Sequence, residues 1–219
     1  MAAGSIPNVF TADANKLTPP AKGKIPVAFT ISEGVTVIDF AGPWEVFNDV
    51  HVTGRGQDMN DQMPFQLFTV SDRIEPITGE GGLKLVPDYT FETAPQAKVV
   101  VVPAQRGSKE QHAWLRKVLP ASDVMMSVCT GAFQLGRAGL LSGKSATTHH
   151  DFFEQFAKAF PDVNLKRGLR FVENDKISTA GGLSSGIDLA LRVVERYFGR
   201  DVAQATATYM EYQGKGWIV

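Results

Sequence analysis

Short apolar runs alternate with amphipathic segments along most of the chain. The apolar runs have the length and β-branched composition of strands, and VVVV at 99–102 has no polar position, as expected of a strand buried on both faces. Strands are predicted at 27–32, 65–70, 99–102 and 124–128. The alternation is typical of βαβ units around a parallel sheet covered by helices.

Between the strands, apolar residues recur at the 3.6-residue spacing of helices. The pattern is clearest at 186–198, where the apolar positions between Ile187 and Tyr197 form one broad stripe. Helices are predicted at 41–48, 110–119, 131–141, 151–160, 186–198 and 201–212. Two further stretches, 81–91 and 169–180, have the polar turn residues of hairpins, the second with its turn at 173–175.

The chain has the size of one domain. At 219 residues, with 43% hydrophobic and 21% charged residues, it is long enough for a sizeable core and ordinary in composition. Residues 1–24 show neither a helical period nor the charged and apolar regions of an export signal. We therefore expect a flexible N-terminal arm at 1–24 and a single domain at 25–219. A cytoplasmic location is expected, with the mature form of an exported protein as the alternative.

The charge pattern argues against two classes of partner. The formal net charge is −1, and Lys and Arg are scattered rather than gathered into the basic face that nucleic-acid binding needs. No apolar run approaches the roughly 18 residues that cross a bilayer. Neither nucleic acid nor a membrane is therefore expected as a partner. The single cysteine also excludes an internal disulfide.

That cysteine lies where an apolar strand runs directly into a helical pattern, in SVCTGA. At such a turn Cys129 faces a helix N-terminus, whose N–H groups favour the nucleophilic thiolate. Gly131 removes a side chain where the turn is tight, as in the nucleophile elbow G-x-S-x-G, although Ser127 replaces the first glycine of that motif. The alternative is an inert, buried cysteine.

Two adjacent histidines follow the elbow helix in a strand-like run, KSATTHH. Neighbouring side chains on a strand point to opposite faces, so only one of His149 and His150 can face the cysteine. A polar residue at a strand end is the alternative for either one. The pattern offers no third ligand at customary spacing, so no metal site is expected.

Asp39 follows the first strand of the domain and precedes a predicted helix with Pro43 in its first turn. One interpretation is a helix cap or turn former. The other is a site residue, because ligands of parallel α/β sheets gather at the carboxyl ends of the strands. If this carboxyl lies against the thiol in an apolar pocket, burial and like charge raise its pKa.

Five segments in this order resemble the landmarks of the DJ-1/PfpI superfamily: IDFAGPWEVF, VVVVPAQRG, SVCTGA, GLLSGKSATTH and STAGGLSSGIDLAL. The isocyanide hydratase subgroup is the most similar. The resemblance implies a flavodoxin-like three-layer sandwich, similar to class I glutamine amidotransferases, with a mostly parallel central sheet. It also implies a homodimer that needs no cofactor and acts on a small molecule.

For this chain, the resemblance implies a lyase that adds water to an isocyanide and releases an N-substituted formamide. Cys129 then attacks the isocyanide carbon, Asp39 acts as general acid and base, and Thr130 contributes a hydroxyl or backbone N–H hydrogen bond. His149 matches a histidine that lies near the cysteine in the family. Where many relatives have Pro-Gly-Gly, this chain has Pro103, Ala104 and Gln105, which with Arg106 and Gly131 are expected to line the pocket. Arg106 as a solvated surface charge is the alternative.

Other functions remain open from the sequence. The same thiolate can serve another small-molecule hydrolase or lyase, or a redox- or ligand-sensing protein. The amidase-like domains of AraC-type regulators also resemble this chain, but those regulators continue into a DNA-binding module, whereas the sequence ends at Val219. DNA binding is therefore not expected.

The predicted helix at 41–48 bears on assembly. Trp44, Val46 and Phe47 give it more apolar bulk than one short helix normally exposes. These side chains either pack into the core or face a two-fold partner.

Overall fold

The structure is a computed structural model that describes residues 9–11 and 16–219. Residues 1–8 and 12–15 of the predicted arm lie outside the described residues. Val9–Thr11 forms a strand parallel to Phe171–Glu173, and the Leu17 N–H donates to the Arg196 carbonyl oxygen over 2.8 Å. The division into an arm and one domain stays a prediction.

Strands and helices alternate through most of the described chain. The strands are β1 (Val9–Thr11), β2 (Ile25–Thr30), β3 (Phe65–Ser71), β4 (Ile77–Thr78), β5 (Lys84–Leu85), β6 (Tyr89–Thr90), β7 (Val99–Val102), β8 (Val124–Ser127), β9 (Ser145–Ala146), β10 (Asn164–Leu165), β11 (Phe171–Glu173) and β12 (Ile177–Ala180). The helices are α1 (Val37–Asn48), α2 (Met59–Gln62), α3 (Lys109–Val118), α4 (Gly131–Arg137), α5 (Phe153–Ala159), α6 (Ser185–Phe198) and α7 (Arg200–Tyr209). Among these described helices, none is long and apolar enough to cross a membrane.

Eight strands form the central sheet, in the order β1-β11-β12-β8-β7-β2-β3-β6. Neighbours in this order are parallel except β11 and β12, which form an antiparallel hairpin. Apolar cores lie on both faces of the sheet. Val99 and Val101 belong to the core with α1, α6 and α7, whereas Val100 and Val102 belong to the core with α3, α4 and α5. The fold is the predicted three-layer sandwich, and β7 is buried on both faces as VVVV indicates.

The four predicted strands are confirmed as β2, β3, β7 and β8, and the hairpin predicted at 169–180 is confirmed as β11 and β12. The hairpin predicted at 81–91 is misplaced. The antiparallel pair is β4 with β5, closed by a 3₁₀ turn at Glu80–Gly82, while β6 joins the central sheet beside β3. The polar residues of that segment mark turns without showing which strand pairs with which.

Helix α1 begins four residues earlier than predicted. Thr36 takes the N-cap position, so Asp39 lies in the first turn and Pro43 lies inside the helix rather than in its first turn. The β-branched start of the helix has weak intrinsic helix propensity, which burial of Phe40 and Pro43 overrides. Helix α4 ends at Arg137 rather than at 141, because the chain enters the left-handed region at Gly139, where φ is 74°.

Three of the large apolar side chains of α1, those of Trp44, Val46 and Phe47, face inward. Val46 and Phe47 are buried, and the Trp44 ring packs on Phe29 with centroids 4.9 Å apart. These three residues therefore pack into the core and do not face a two-fold partner.

Four neighbouring parallel strands, β12, β8, β7 and β2, end at one edge of the sheet. The segments that leave these strands carry Gly181–Ser184, Cys129, Ala104 and Asp39 respectively. The sheet topology therefore brings distant parts of the sequence together at the place where ligands of such folds bind.

Candidate active site

Cys129 occupies a strained turn between β8 and α4. Its φ is 57°, in the left-handed region that non-glycine residues seldom adopt. Two backbone hydrogen bonds hold the turn: the Cys129 N–H donates to Gly181 O over 2.8 Å, and the Val128 N–H donates to Val102 O over 3.0 Å. The Thr148 hydroxyl also donates to Cys129 O over 2.9 Å. The strained conformation is thus fixed from both neighbouring strands.

Gly131 explains how the turn can approach the neighbouring strand so closely. A Cβ atom at this position would lie 2.0 Å from Val102 O and 2.9 Å from Pro103 O. Both obstacles are backbone atoms, which cannot move aside as a flexible side chain can. Only glycine therefore fits, as the tight turn predicted from the sequence requires.

The Cys129 thiol is almost enclosed, with 6% of the residue exposed. The backbone N–H groups of Thr130 and Leu183 act on the sulfur and lower its pKa. Leu183 reaches this position from the loop after β12 by adopting a φ of 48°. Two main-chain donors, from the segments after β8 and β12, therefore face the sulfur.

Asp39 is the acidic partner of the thiol. The residue is fully buried, and its Oδ2 accepts a hydrogen bond from the Ala104 N–H over 3.1 Å. Among the described residues, its Oδ1 has no hydrogen-bond partner. Burial raises the pKa of Asp39 to about 7, against the lowering effects of the Ala104 N–H and the thiol, and exposed Glu80 raises it further. The carboxyl is therefore poised to gain or lose a proton near neutral pH.

The thiolate predicted for Cys129 is not the resting state at neutral pH. Burial, and next the Asp39 charge, raise the pKa of the Cys129 thiol to about 11. These effects outweigh the helix N-terminus and the two N–H donors. Two anions cannot easily coexist in this enclosed space. The thiol and the carboxyl therefore titrate as a coupled pair, which keeps its last proton until the pH approaches the raised pKa of the thiol.

The backbone and amide donors of the segment after β7 bind Asp39 and other protein groups instead of pointing into the pocket. The Ala104 N–H binds Asp39, and the Ala104 carbonyl accepts from the Thr36 N–H over 2.9 Å. The Gln105 amide turns inward and donates to Thr30 O and Oγ1 over 3.1 and 2.8 Å. Arg106 is exposed, in agreement with the surface alternative, and its N–H donates to Glu33 O over 3.1 Å.

His149 lies beyond the loop that follows β12. Its ring packs on Gly182, where an added Cβ would lie 2.4 Å from Cδ2. Its Nδ1 accepts from the Asp151 N–H over 3.2 Å, and its ring stacks on His150 with centroids 4.4 Å apart. The structure therefore places His149 beside the loop that carries Leu183, whereas the partners of the thiol are Asp39 and main-chain donors.

Asp151 is a third potential metal ligand that the sequence interpretation overlooked. Ligand atoms of His149, His150 and Asp151 lie within 4.8 Å of one another. The geometry does not suit a closed site, because Nδ1 of His149 already accepts a main-chain hydrogen bond and stacked rings do not converge their in-plane lone pairs. His150 and Asp151 are also exposed. The cluster is explained as a polar turn before α5.

Two cavities border residues that adjoin Cys129 or bind its main chain. One of about 200 Å³ borders Thr130 and Gln105 and is walled by Phe133, Phe152 and Arg137. The other, of about 490 Å³, borders Thr148, His149 and the loop of Gly181 to Ser185. A third cavity of about 480 Å³, between Lys24, Arg55 and Asn60, lies near the start of β2, at the opposite end of that strand from the site.

Three residues of the site are not predicted from the sequence: Leu183, Glu80 and Thr148. The run GGLSSG before α6 was available as a signal for Leu183, since glycine-rich turns at strand ends often bring backbone donors to a site. Glu80 and Thr148 carry no comparable signal, because their roles depend on which loops the fold brings to this edge.

The sequence of the chain is similar to those of known proteins. The model described as DJ-1/PfpI family matches residues 26–196. An isonitrile hydratase from Pseudomonas putida is 31% identical over 195 residues, which cover 85% of this chain and 78% of that protein. The HTH-type transcriptional regulator GbdR from Pseudomonas aeruginosa is 23% identical over 93% of this chain, and the chain spans about half (55%) of that regulator.

Solved structures agree with the fold. A ThiJ/PfpI family protein from Pseudomonas syringae has a TM-score of 0.75 and 26% identity, over 90% of this chain and 78% of that chain. Drosophila melanogaster DJ-1beta has a TM-score of 0.72 at 15% identity, over 87% of this chain and all (100%) of that chain, a likeness of fold alone.

Proposed function

This chain belongs to the DJ-1/PfpI family, and from that membership and its cysteine site we propose that it is an isocyanide hydratase. The reaction adds water to R–N≡C and gives the N-substituted formamide R–NH–CHO. The observation that carries the proposal is the buried pair of Cys129 and Asp39, in which a carboxyl with a pKa of about 7 faces a protonated thiol. The similarity to an isonitrile hydratase supports this choice of substrate.

In the first step, the Cys129 sulfur forms a bond to the terminal carbon of the isocyanide. The thiol proton passes to Asp39 and from there to the same carbon, so the product is the thioimidate Cys129–S–CH=N–R. A soft sulfur nucleophile suits this carbon. Asp39 supplies the proton transfer that a thiol with a raised pKa requires.

In the second step, water adds to the thioimidate carbon. Asp39 accepts a water proton and passes it to the nitrogen, giving Cys129–S–CH(OH)–NH–R. The C–S bond then breaks, the hydroxyl proton returns through Asp39 to the sulfur, and the formamide leaves. Water is the only co-reactant that this balance requires.

The N–H groups of Thr130 and Leu183 support both steps. They favour negative charge on the sulfur, which develops as the proton leaves and again when the C–S bond breaks. Because these donors belong to the main chain, they are already oriented before the substrate arrives.

Redox sensing is the less favoured alternative. A sensor cysteine is typically exposed and has a lowered pKa, whereas Cys129 is enclosed and its pKa is raised. Another lyase or hydrolase reaction would use the same pair, and the similarity to an isonitrile hydratase supports the hydration of an isocyanide over these reactions.

We also propose that the protein is a homodimer, as the family resemblance implies. Since Trp44, Val46 and Phe47 face the core, the interface requires other apolar residues. Ile38 and Leu183 are large exposed apolar residues, 42% and 43% exposed, and each is close in sequence or space to the Cys129–Asp39 pair. A second copy that covers them would further enclose the site.

The covalent step can be tested by mass spectrometry. Protein is mixed with a small alkyl isocyanide, quenched rapidly in acid and digested. The Cys129 peptide should gain the mass of one isocyanide, whereas the Cys129→Ala protein should gain none. An unmodified Cys129 peptide during active turnover would overturn covalent catalysis by this residue.

A further inference from the structure

Gln134 links the helix after the nucleophile to the loop that holds Asp39. It lies on α4 and is 2% exposed. Its Nε2 donates to Gln105 O over 2.9 Å and to Arg106 O over 3.2 Å. Its Oε1 lies 2.9 Å from Nε2 of His112, a helix α3 residue, which fixes the orientation of the amide. The amide is thus bound to the loop through two donors and to α3 through its acceptor.

The loop from 104 to 107 is shaped around this amide. Gly107 has a φ of 71°, and an added Cβ there would lie 2.2 Å from Gln134 Oε1. On its other side the loop is bound to the exit of β2, where the Gly107 N–H donates to Ser32 Oγ over 2.9 Å. Gln134 therefore supplies the contact between the loop and the nucleophile's helix, while the contacts to β2 come from other residues.

We propose that Gln134 is a positioning residue, whose amide fixes the loop of residues 104–107 relative to α4 so that the Ala104 N–H stays on the Asp39 carboxylate. The inference rests on the acid–base role proposed for Asp39. Gln134 acts through Ala104, which it holds by binding the two carbonyl groups that follow.

This role makes a prediction about the ionisation of Asp39. A hydrogen bond to a carboxylate stabilises the ionised form, so losing the Ala104 N–H raises the pKa of Asp39. The other groups that act on Asp39 are the Cys129 thiol after β8 and Glu80 on the turn between β4 and β5. Neither contacts Gln134 through the bonds described, so substituting Gln134 leaves their effects in place.

The test follows the rate of Cys129 alkylation by iodoacetamide from pH 5 to pH 9. The species that reacts is the minor form of the pair in which the single remaining proton is on Asp39 and Cys129 is a thiolate. The population of this form rises with pH while the pair loses its first proton. The rate therefore levels off above the pKa of Asp39. In Gln134→Met, which keeps the volume but removes the donors, the levelling should move upward by about one pH unit. The control is Thr206→Val, which removes a buried hydroxyl whose hydrogen bond, to Val202 O, lies within α7.

A second variant covers the case in which Gln134→Met does not fold. His112→Phe removes only the contact that orients the amide, and His112 is partly exposed. It should shift the profile in the same direction by a smaller amount. Profiles of folded Gln134→Met, or otherwise of His112→Phe, that match wild type would overturn the proposal. An equal shift in Thr206→Val would do so as well, because the loss of any buried polar contact would then explain it.

The alkylation profile needs no turnover, which separates this inference from the proposed function. Wild type that does not hydrate isocyanides but shows the shift in Gln134→Met would refute the hydratase and retain the positioning role. In an active hydratase, Gln134→Met should lower kcat about tenfold near pH 6.5 with little change in KM, since Gln134 binds the loop rather than the reacting atoms.

Discussion

The Asp39 carboxyl faces the Cys129 thiol and raises its pKa, while the thiol in turn lowers the pKa of the carboxyl. The two side chains arrive from the exits of different strands, β2 and β8, and meet where the sheet ends. Between about pH 7 and pH 11 the pair holds one proton. In the proposed mechanism the reacting unit is therefore the pair, and predictions about either residue must consider the other.

Asp39→Asn should make the Cys129 thiol easier to ionise, although it removes the carboxyl that is proposed to transfer protons. Removing the carboxylate charge lowers the pKa of the thiol, because that charge is a main cause of its rise. The alkylation rate should then lose its levelling near pH 7 and increase steadily toward higher pH, which mass spectrometry of the iodoacetamide product measures. A variant profile that levels off as wild type does would show that Asp39 does not control the thiol.

The same substitution should stabilise the protein above pH 7. The pKa of Asp39 is about 7 in the folded protein and about 3.9 in an unfolded chain, so the folded state binds the proton more tightly. Wild type therefore loses stability as pH rises from about 4 to 7.

Against this background, Asp39→Asn should gain about 1–3 kcal/mol at pH 8 and little at pH 4. Urea unfolding of both proteins at several pH values gives the difference between their free energies of unfolding. Other titrating groups contribute equally to both proteins and cancel in this difference. A difference that is constant with pH, or largest at pH 4, would contradict the raised pKa.

Thr130→Ala should retain most of the activity. The group of Thr130 that acts on the sulfur is its backbone N–H, which alanine keeps, and the hydroxyl makes no N-cap hydrogen bond to α4. The variant kcat is expected within about threefold of wild type, since removal of a preorganised donor would cost 10²–10³. Steady-state kinetics decides the matter, and a hundredfold loss would assign the role to the hydroxyl.

The proposed homodimer should depend on Ile38. Light scattering at micromolar concentration should give twice the 23.8 kDa chain mass for wild type, and Ile38→Asp should shift the mass toward one chain by placing a charge in the interface. Trp44→Phe is a suitable control, because Trp44 packs on Phe29 in the core. A dimer that is unaffected by Ile38→Asp would place the interface elsewhere.

The layers of the fold can be predicted from the sequence because buried strands and helices have characteristic local patterns of apolar residues. VVVV predicts a strand with two buried faces, and SVCTGA predicts the strand, turn and helix around Cys129 without further information. The start of α1 cannot be predicted in this way, because Val37 and Ile38 are poor helix formers and the helix begins where the Ala104 carbonyl binds the Thr36 N–H.

The chemistry of the site depends on contacts that the sequence does not reveal. The local pattern favours a thiolate at Cys129, but burial, and next the negative charge of Asp39 from the segment after β2, raise the pKa of the thiol and reverse the result. Ala104 and Gln105 are recognisable as a departure from Pro-Gly-Gly, yet only the structure shows the Ala104 N–H on Asp39 and Gln134 binding the next carbonyl. Leu183 enters the site through a left-handed backbone conformation that its residue type does not predict.

The most direct test of the central claim is the formation of an N-substituted formamide from a small alkyl isocyanide, followed by NMR with wild type, Cys129→Ala and Asp39→Asn. Wild type should produce one formamide for each isocyanide consumed, over many turnovers. Cys129→Ala should produce none above the uncatalysed rate, and Asp39→Asn should be slower by about 10²–10⁴. Formamide production that persists in either variant at the wild-type rate, or its absence with wild type, would contradict the account.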